Sequence, residues 1–143
     1  MIGSQSAGKS SVLQKIVGKN FLPTGTDCVT KRPLYLNLFR SDQNSAEIAY
    51  YDCDNEGMVK QNNLNLNQLA AEIKKANLFQ DSRQFISEPI NVTIHGPQNP
   101  DLTLIDLPGV TADPDERKII IEMIEPIIKK DTSIILAVSR KMF

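Results

Sequence analysis

The stretch Gly3-Ser4-Gln5-Ser6-Ala7-Gly8-Lys9-Ser10-Ser11 decides the fold of this 143-residue chain, because it has the form G-x-x-x-x-G-K-[ST] of a phosphate-binding loop. In such a loop successive backbone N–H groups curve around an anion, and the following helix directs the positive end of its dipole at the same point. We expect these nine residues to hold a nucleotide, with Lys9 on the β- and γ-phosphates and the Ser10 hydroxyl on Mg²⁺. A chance match on a Gly/Ser-rich turn is the alternative. Against it, four apolar residues follow the loop at helical spacing: Val12, Leu13, Ile16 and Val17.

The position of the loop predicts an incomplete domain. A phosphate loop follows a buried strand in the middle of a parallel sheet. Only Met1 and Ile2 precede Gly3. We therefore expect the first strand to be missing, because the chain has been shortened or starts at an internal methionine.

Composition predicts one soluble globular domain and little else. The chain has 41% hydrophobic residues and a net charge of -1, which gives no indication of nucleic-acid binding. Residues 1–40 contain six basic residues and a single acid, Asp27. This excess of positive charge is expected at the end of a domain that binds phosphate, although a solvated basic face has the same pattern. The basic residues are Lys9, Lys15, Lys19, Lys31, Arg32 and Arg40.

The cysteines, the histidine and the apolar runs exclude several other classes. Cys28 and Cys53 are too few for a disulfide framework and have no partner at metal-ligand spacing, so a reducing compartment is expected. No run approaches a membrane span and the N-terminus has no signal pattern, so we expect a cytoplasmic location. His95 is the only histidine, and we expect it in a strand, facing away from the apolar side.

Strands and helices are predicted to alternate along the chain. Leu34, Leu36 and Leu38 indicate a half-buried strand, and 46–51 is expected to pair with it. We expect a polar surface loop over 52–67. A helix is predicted from Asn67, its N-cap, through four apolar residues: Leu69, Ala70, Ile73 and Ala76.

The second half is predicted to contain two neighbouring strands, 90–95 and 102–106, joined by a turn. A helix follows with Asp113 as its cap and Pro114 at its first position, and Pro126 is expected to kink or end it. The run 133–138 has the pattern of a strand covered on both faces. Together these elements predict an α/β fold with a mostly parallel sheet flanked by helices, like that of P-loop NTPases.

A second chemical signal is Asp106-Leu107-Pro108-Gly109, directly after an apolar strand. Asp106 is then expected at the carboxyl end of that strand, facing the ligand crevice, where it can hold Mg²⁺ through water. Gly109 has no side chain to keep its N–H away from a γ-phosphate. Alone the pattern is usually a turn, but downstream of a phosphate loop it favours a GTPase over a generic ATPase.

A third signal is the loop 24–34, which ends at a strand. In GTPases a switch loop in this region is ordered by contacts with the γ-phosphate and Mg²⁺. Thr24, Thr26 and Thr30 could each supply the hydroxyl, and spacing does not choose among them. An ordinary Gly/Thr turn is the alternative.

These motifs together resemble the dynamin superfamily of large GTPases over most of the chain. The agreement covers Gly3 to Ser11, Phe21-Leu22-Pro23, Val29-Thr30-Lys31-Arg32-Pro33-Leu34, Pro89-Ile90-Asn91, and Leu104-Ile105-Asp106-Leu107-Pro108-Gly109. It identifies residues 1–143 as part of a dynamin-type GTPase domain.

The resemblance implies a role for each matching residue. Lys9 lies on phosphate, Ser10 and Thr30 on Mg²⁺, Asp106 on the metal through water, and Gly109 senses the γ-phosphate. Family members use no arginine finger; Gln5 helps to position the attacking water and Ser6 helps to hold a monovalent cation that offsets charge on the phosphoryl group. The full-length protein would associate with itself through GTPase domains, act peripherally on membranes through regions absent here, and drive membrane remodelling or scission.

Two departures from the family pattern limit what the resemblance implies. Asp27 stands where a small residue usually gives its carbonyl to the monovalent cation. The guanine-reading [TN]-K-x-D motif is absent, since Ile128-Lys129-Lys130-Asp131 begins with isoleucine and precedes its strand. The predicted function is GTP binding and hydrolysis with Mg²⁺. The alternatives are a catalytically inactive fragment that acts as a binding module and, less favoured, a P-loop ATPase.

Overall fold

The computed structural model describes residues 1–4, 7–19, 21–22, 30–78 and 85–139. In these ranges three helices flank a five-stranded mixed sheet, an α/β arrangement. The helices are α1 (Lys9–Val17), α2 (Leu66–Ala76) and α3 (Pro114–Ile128). The strands are β1 (Leu34–Arg40), β2 (Ser45–Asp52), β3 (Gly57–Leu64), β4 (Ile90–Gly96) and β5 (Leu102–Asp106), in the spatial order β3-β2-β4-β1-β5.

The predicted mostly parallel sheet is wrong for these five strands. Only β1 and β4 pair in parallel, whereas β1 with β5, β2 with β3 and β2 with β4 are antiparallel. The local pattern of a half-buried strand is the same for both directions, so apolar alternation alone could not give the direction.

Two predicted strand neighbours are also wrong. β2 pairs with β4 and β3 instead of β1. β4 and β5 are not adjacent, because β1 lies between them. The connection between β4 and β5 passes the end of β1, where the Arg40 backbone N–H donates to the Asp101 carboxylate at 3.0 Å. A connection of this length can therefore step over one strand instead of closing a hairpin.

The stretch predicted as a surface loop contains β3, an edge strand. Half-buried Gly57, Val59 and Gln61 alternate with exposed Met58 and Lys60. An edge strand buries little and tolerates polar side chains, which is why its composition indicated a loop.

α2 begins two residues earlier than predicted. Its N-cap is Asn65, whose side chain accepts from the Gln68 backbone N–H at 2.9 Å. The Gln68 side chain accepts in return from the Asn65 N–H at 2.9 Å. This reciprocal capping box fixes the helix start more firmly than Asn67 could.

α3 follows the prediction, and the C-terminal apolar run does not. Asp113 caps α3, Pro114 is at its start, and the helix ends at Ile128, two residues after Pro126. The run 133–138, predicted as a strand covered on both faces, forms one isolated bridge at Ala137. Ile134 is 99% exposed, so among the described residues no element covers this face.

The core lies on the faces of β1, β2 and β4. Alternate side chains of these strands pack against α1 and α2. The resulting cluster includes Leu13, Leu34, Leu36, Leu38, Ile48, Leu69, Ile73, Ile90, Val92 and Ile94. His95 is half-buried on the opposite face of β4 and stacks on Phe39 with ring centroids 5.7 Å apart, which confirms its predicted orientation.

Candidate functional site

The residues that enter the phosphate loop are held on both sides by parallel neighbours. On one side Ile2 bridges Ala137, with the Ile2 N–H donating to Leu136 at 3.0 Å and the Val138 N–H donating to Ile2 at 2.9 Å. On the other side Ser4 bridges Val110 in parallel. The start of the loop therefore occupies an interior position between two extended segments.

Gly3 is required by a close approach of two backbones. A Cβ atom at this position would lie 2.2 Å from the carbonyl oxygen of Val138. No side chain fits that distance, and the obstacle is backbone, which cannot move aside as a side chain can. The first glycine of the motif thus lets the loop lie against 136–138.

The N-terminus of α1 is left without a side-chain cap. Gly8 is its N-cap in the left-handed conformation, with φ 90°, and the first turn contains no acidic residue. The first N–H groups of a helix have no partner within the helix. Uncapped N–H groups and the positive end of the dipole together form an anion-binding position.

Lys9 is the first residue of α1, and its ammonium contacts the backbone of the loop. The side chain is buried, and Nζ donates to the Ser4 carbonyl at 3.1 Å and to the Gly3 carbonyl at 3.4 Å. Burial lowers the pKa of Lys9, and the Asp106 carboxylate opposes this shift. A second anion at the helix end would stabilise the ammonium further.

Asp106 brings the second motif to the same place. It ends β5, is 1% exposed, and its Oδ2 accepts from the Ser10 hydroxyl at 2.8 Å. Burial raises the pKa of Asp106, whereas the Ser10 hydrogen bond and Lys9 lower it. The contact joins residues 96 positions apart in sequence.

The oxygen atoms at Asp106 and Ser10 fit a divalent cation. Asp106 Oδ1 is buried without a hydrogen-bond partner, and an unsatisfied buried carboxylate oxygen is costly. Mg²⁺ prefers carboxylate, hydroxyl and water oxygens. Among the described residues no group of three or more His, Cys, Asp or Glu side chains could hold a metal.

The remaining predicted residues have different positions. Gly109 is buried, and the next residue, Val110, donates its N–H to the Gly3 carbonyl at 3.2 Å. Thr30 is half-buried four residues before β1, and the next residue, Lys31, contacts Asn77 and Ile86 through its backbone. Its role as a metal ligand stays a prediction. Ala7 and Ser11 adjoin the loop and helix start, Ala7 through its N–H on the Ser4 carbonyl at 3.2 Å.

Several predicted residues lie outside the described ranges. They are Gln5, Ser6, Thr24, Thr26, Asp27 and Cys28.

The crevice at Asp106 differs from the predicted one because β5 is antiparallel to β1. The end of the sheet at which Asp106 lies contains the carboxyl end of β5 and the amino ends of β1 and β4. Because β5 runs antiparallel to β1, its last residue, Asp106, lies opposite Leu34, the first residue of β1.

Sequence reasoning missed the buried guanidinium of Arg32. It was counted only as one of six basic residues, but it is 1% exposed and donates to three backbone carbonyls. Its place directly before Pro33 and β1 gave no signal of burial, because arginine is ordinarily a surface residue.

No described helix is long and apolar enough to cross a membrane.

Comparison with known proteins gives one consistent family. The model of the Dynamin family matches residues 1–142. The chain is 39% identical over 147 residues to dynamin-related protein 12A of Glycine max, covering 97% of the chain and 23% of the relative. It is 38% identical over 145 residues to dynamin-3 of Homo sapiens, covering 97% of the chain and 16% of that protein.

A mitochondrial relative gives a similar match. The chain is 41% identical over 110 residues to the dynamin-like GTPase MGM1, mitochondrial, of Chaetomium thermophilum, covering 76% of the chain and 11% of that protein. The chain therefore spans less than a quarter of the length of each of these relatives.

Proposed function

We propose, since this chain belongs to the dynamin family, that it is the phosphate- and magnesium-binding part of a GTPase domain. The observation that carries the proposal is the 2.8 Å contact between Ser10 and Asp106. It brings the phosphate loop and the Asp106–Gly109 motif together at an uncapped helix end. This is the arrangement needed to hold a nucleoside triphosphate with its metal.

In the proposed complex the chain's own groups bind and orient the triphosphate. The first N–H groups of α1 and the Lys9 ammonium contact the phosphate oxygens, and Lys9 leaves the Gly3 and Ser4 carbonyls to do so. Ser10 and Asp106 would hold Mg²⁺, which supplies charge neutralisation when bound. Thr30 is the third proposed metal ligand, and Gly109 approaches the γ-phosphate.

The proposed reaction is GTP hydrolysis by an in-line water. Gln5 positions that water, and Ser6 helps to hold a monovalent cation that offsets charge on the phosphoryl group, so that no arginine finger is needed. These two roles rest on the resemblance of the loop to the family.

For the full-length protein we propose membrane remodelling or scission. The support is the similarity to dynamins and to a dynamin-like GTPase over this segment. Self-association through GTPase domains and peripheral membrane contact belong to the same proposal, and regions outside this chain would carry the membrane contact.

Calorimetric titration with GTP and with ATP, each with Mg²⁺, tests the proposal on the folded chain. We expect saturable binding of GTP, and binding of ATP with similar affinity, because the guanine-reading motif is absent from this sequence and both nucleotides offer the same triphosphate. Clearly tighter binding of ATP than of GTP would favour the ATPase alternative, and no saturable GTP binding would overturn nucleotide binding by this chain.

Phosphate release measured on the same samples separates binding from catalysis. We expect turnover in the wild type and, for Gln5→Ala, retained GTP affinity with turnover lowered by about 100-fold, the range of a positioned catalytic group. Binding without turnover in the wild type would identify the chain as a binding module and contradict hydrolysis by it.

A further inference from the structure

The linking segment, residues 109–112 between the Asp106–Gly109 motif and α3, is tied to the phosphate loop through its backbone. The Val110 N–H donates to the Gly3 carbonyl at 3.2 Å, and Val110 bridges Ser4 in parallel. The Gly3 carbonyl also accepts from Lys9 Nζ at 3.4 Å. One carbonyl oxygen therefore connects the linking segment to the ammonium that contacts phosphate in the proposed complex.

Arg117 of α3 holds the other half of the linking segment. Its Nε donates to the Thr111 carbonyl at 3.2 Å, and its Nη2 donates to the Ala112 carbonyl at 3.3 Å. The two acceptors belong to consecutive residues, and a planar guanidinium offers each of them a donor on a different nitrogen atom. A lysine ammonium, with all its donors on one nitrogen, cannot reproduce this pair of contacts.

The place of Arg117 in the helix is unfavourable for a cation. It is the fourth residue of α3, near the positive end of the helix dipole, where acids are favoured and cations are not. Asp115 and Glu116 follow that preference. The Asp113 cap accepts from N–H groups of the helix itself, so it is separate from the contacts with 111–112. The hydrogen bonds to the linking segment account for a residue that helix electrostatics disfavours.

No acid competes for this guanidinium in the part of the chain that the structure describes. The one salt bridge there joins Lys129 to Glu125. The contacts of Arg117 with the linking segment are therefore its main side-chain interactions. Lys118, the next residue, is exposed and makes no salt bridge or side-chain hydrogen bond with the described residues, so it is a matched control for the charge.

We propose that Arg117 is a positioning residue, which holds the linking segment so that Gly109 faces the phosphate loop and the chain distinguishes a triphosphate from a diphosphate. The inference rests on the proposed function, in which Gly109 approaches the γ-phosphate. Arg117 acts through the backbone of 110–112 and does not touch the nucleotide. Because a diphosphate has no γ-phosphate, the loss of positioning changes the ratio of the two affinities.

Hydrogen exchange in the nucleotide-free chain tests the positioning itself. We expect the Val110 amide to exchange about tenfold faster in Arg117→Met, the effect of losing hydrogen bonds from a charged group, and at the wild-type rate in Lys118→Met. Methionine forms helices about as well as arginine, so the amide of Ile124 within α3 should stay as protected as in the wild type. Equal exchange of the Val110 amide in both variants would overturn the proposal.

Affinities for GDP and for a non-hydrolysable GTP analogue, each with Mg²⁺, test the effect on the nucleotide. We expect the wild type to bind the analogue more tightly, and Arg117→Met to lower the ratio of the two affinities by about tenfold through weaker analogue binding. Arg117→Lys keeps the charge and one donor atom, and should restore part of the ratio. Lys118→Met should leave the ratio unchanged.

The two measurements separate this inference from the proposed function. If the wild type binds neither nucleotide, the proposed function fails and the role at the γ-phosphate fails with it, while exchange at Val110 still decides whether Arg117 holds the segment. If the wild type binds both nucleotides and Arg117→Met keeps the wild-type ratio, nucleotide binding stands and this inference is wrong. An equal fall of the ratio in Lys118→Met would show general charge attraction and contradict it as well.

Discussion

The N-termini of α1 and α3 differ in how their first backbone N–H groups are paired. At α3 the Asp113 side chain accepts from the N–H groups of Asp115 at 3.0 Å and Glu116 at 2.9 Å, and both of those residues are acidic. At α1 the N-cap is Gly8, which has no side chain to accept a hydrogen bond, and the first turn has no acid. One helix end is satisfied internally, and the other has no side-chain cap. The difference agrees with the proposed phosphate site at the start of α1.

Lys9→Met should have the largest effect, because it removes the cation beside the uncapped helix. We expect nucleotide affinity to fall by about 100-fold, the loss of a hydrogen bond to a charged group in a buried site. Calorimetric titration measures it. The control is Lys15→Met, in the exposed last turn of α1. Equal losses in both variants would mean that general positive charge, and not the loop, attracts the nucleotide.

Asp106→Asn should remove the magnesium dependence of nucleotide binding while the Ser10 contact can persist. We expect affinities with Mg²⁺ and with EDTA to become nearly equal, because an amide oxygen is a weaker ligand for Mg²⁺ than a carboxylate. A magnesium dependence as large as that of the wild type would exclude Asp106 as part of the metal site.

In the absence of ligand, Asp106→Asn should be more stable than the wild type by an amount that depends on pH. Burial raises the pKa of Asp106, so the unfolded chain releases this proton at lower pH than the folded chain does. The folded wild type therefore loses stability as pH rises through the raised pKa. The melting temperature of Asp106→Asn should exceed that of the wild type most at pH values above the raised pKa. The difference should vanish at pH values low enough to protonate Asp106 in both the folded and the unfolded wild type.

Ser11→Glu tests the comparison directly, because it gives α1 the acid that Glu116 gives α3 at the same position. We expect the helix end to gain about 0.3–1 kcal/mol, and nucleotide affinity to fall by roughly fivefold through charge repulsion. Ser11→Gln, without the charge, should show neither effect. Unchanged affinity in Ser11→Glu would indicate that phosphate binds away from this helix end.

Asp113→Ala should have the smallest effect on function and a local effect on stability. Removing the cap should cost about 1 kcal/mol in unfolding free energy, measured by urea denaturation, and leave nucleotide affinity unchanged. The exposed mid-helix change Glu122→Ala is its control and should cost less. A loss of nucleotide affinity in Asp113→Ala would couple α3 to the site and weaken the contrast between the two helix ends.

Local signals predicted the elements whose ends are chemically marked. The loop before α1 and the Asp113-Pro114 pair before α3 were placed correctly, since glycine, proline and aspartate act on their own backbone neighbours. α2 was misplaced by two residues because its start depends on a reciprocal pair, Asn65 and Gln68, in a stretch with several asparagines.

Strand order was predicted poorly for a physical reason. The apolar alternation of β1 states which face is buried, but not that β4 and β5 lie on its two sides. The edge strand β3 buries too little to have an apolar pattern. The exposed run 133–138 is as apolar as a core strand, and only the neighbours present decide whether it is covered.

The sequence by itself determined the phosphate loop, the Asp106–Gly109 motif and the family, because each depends on residue types at short, fixed spacings. Only the tertiary structure decided that Ser10 and Asp106 are 2.8 Å apart and that Arg32 is buried. Those facts depend on which strands pair and in which direction, and local apolar alternation gives the buried face of a strand but neither its neighbours nor its direction.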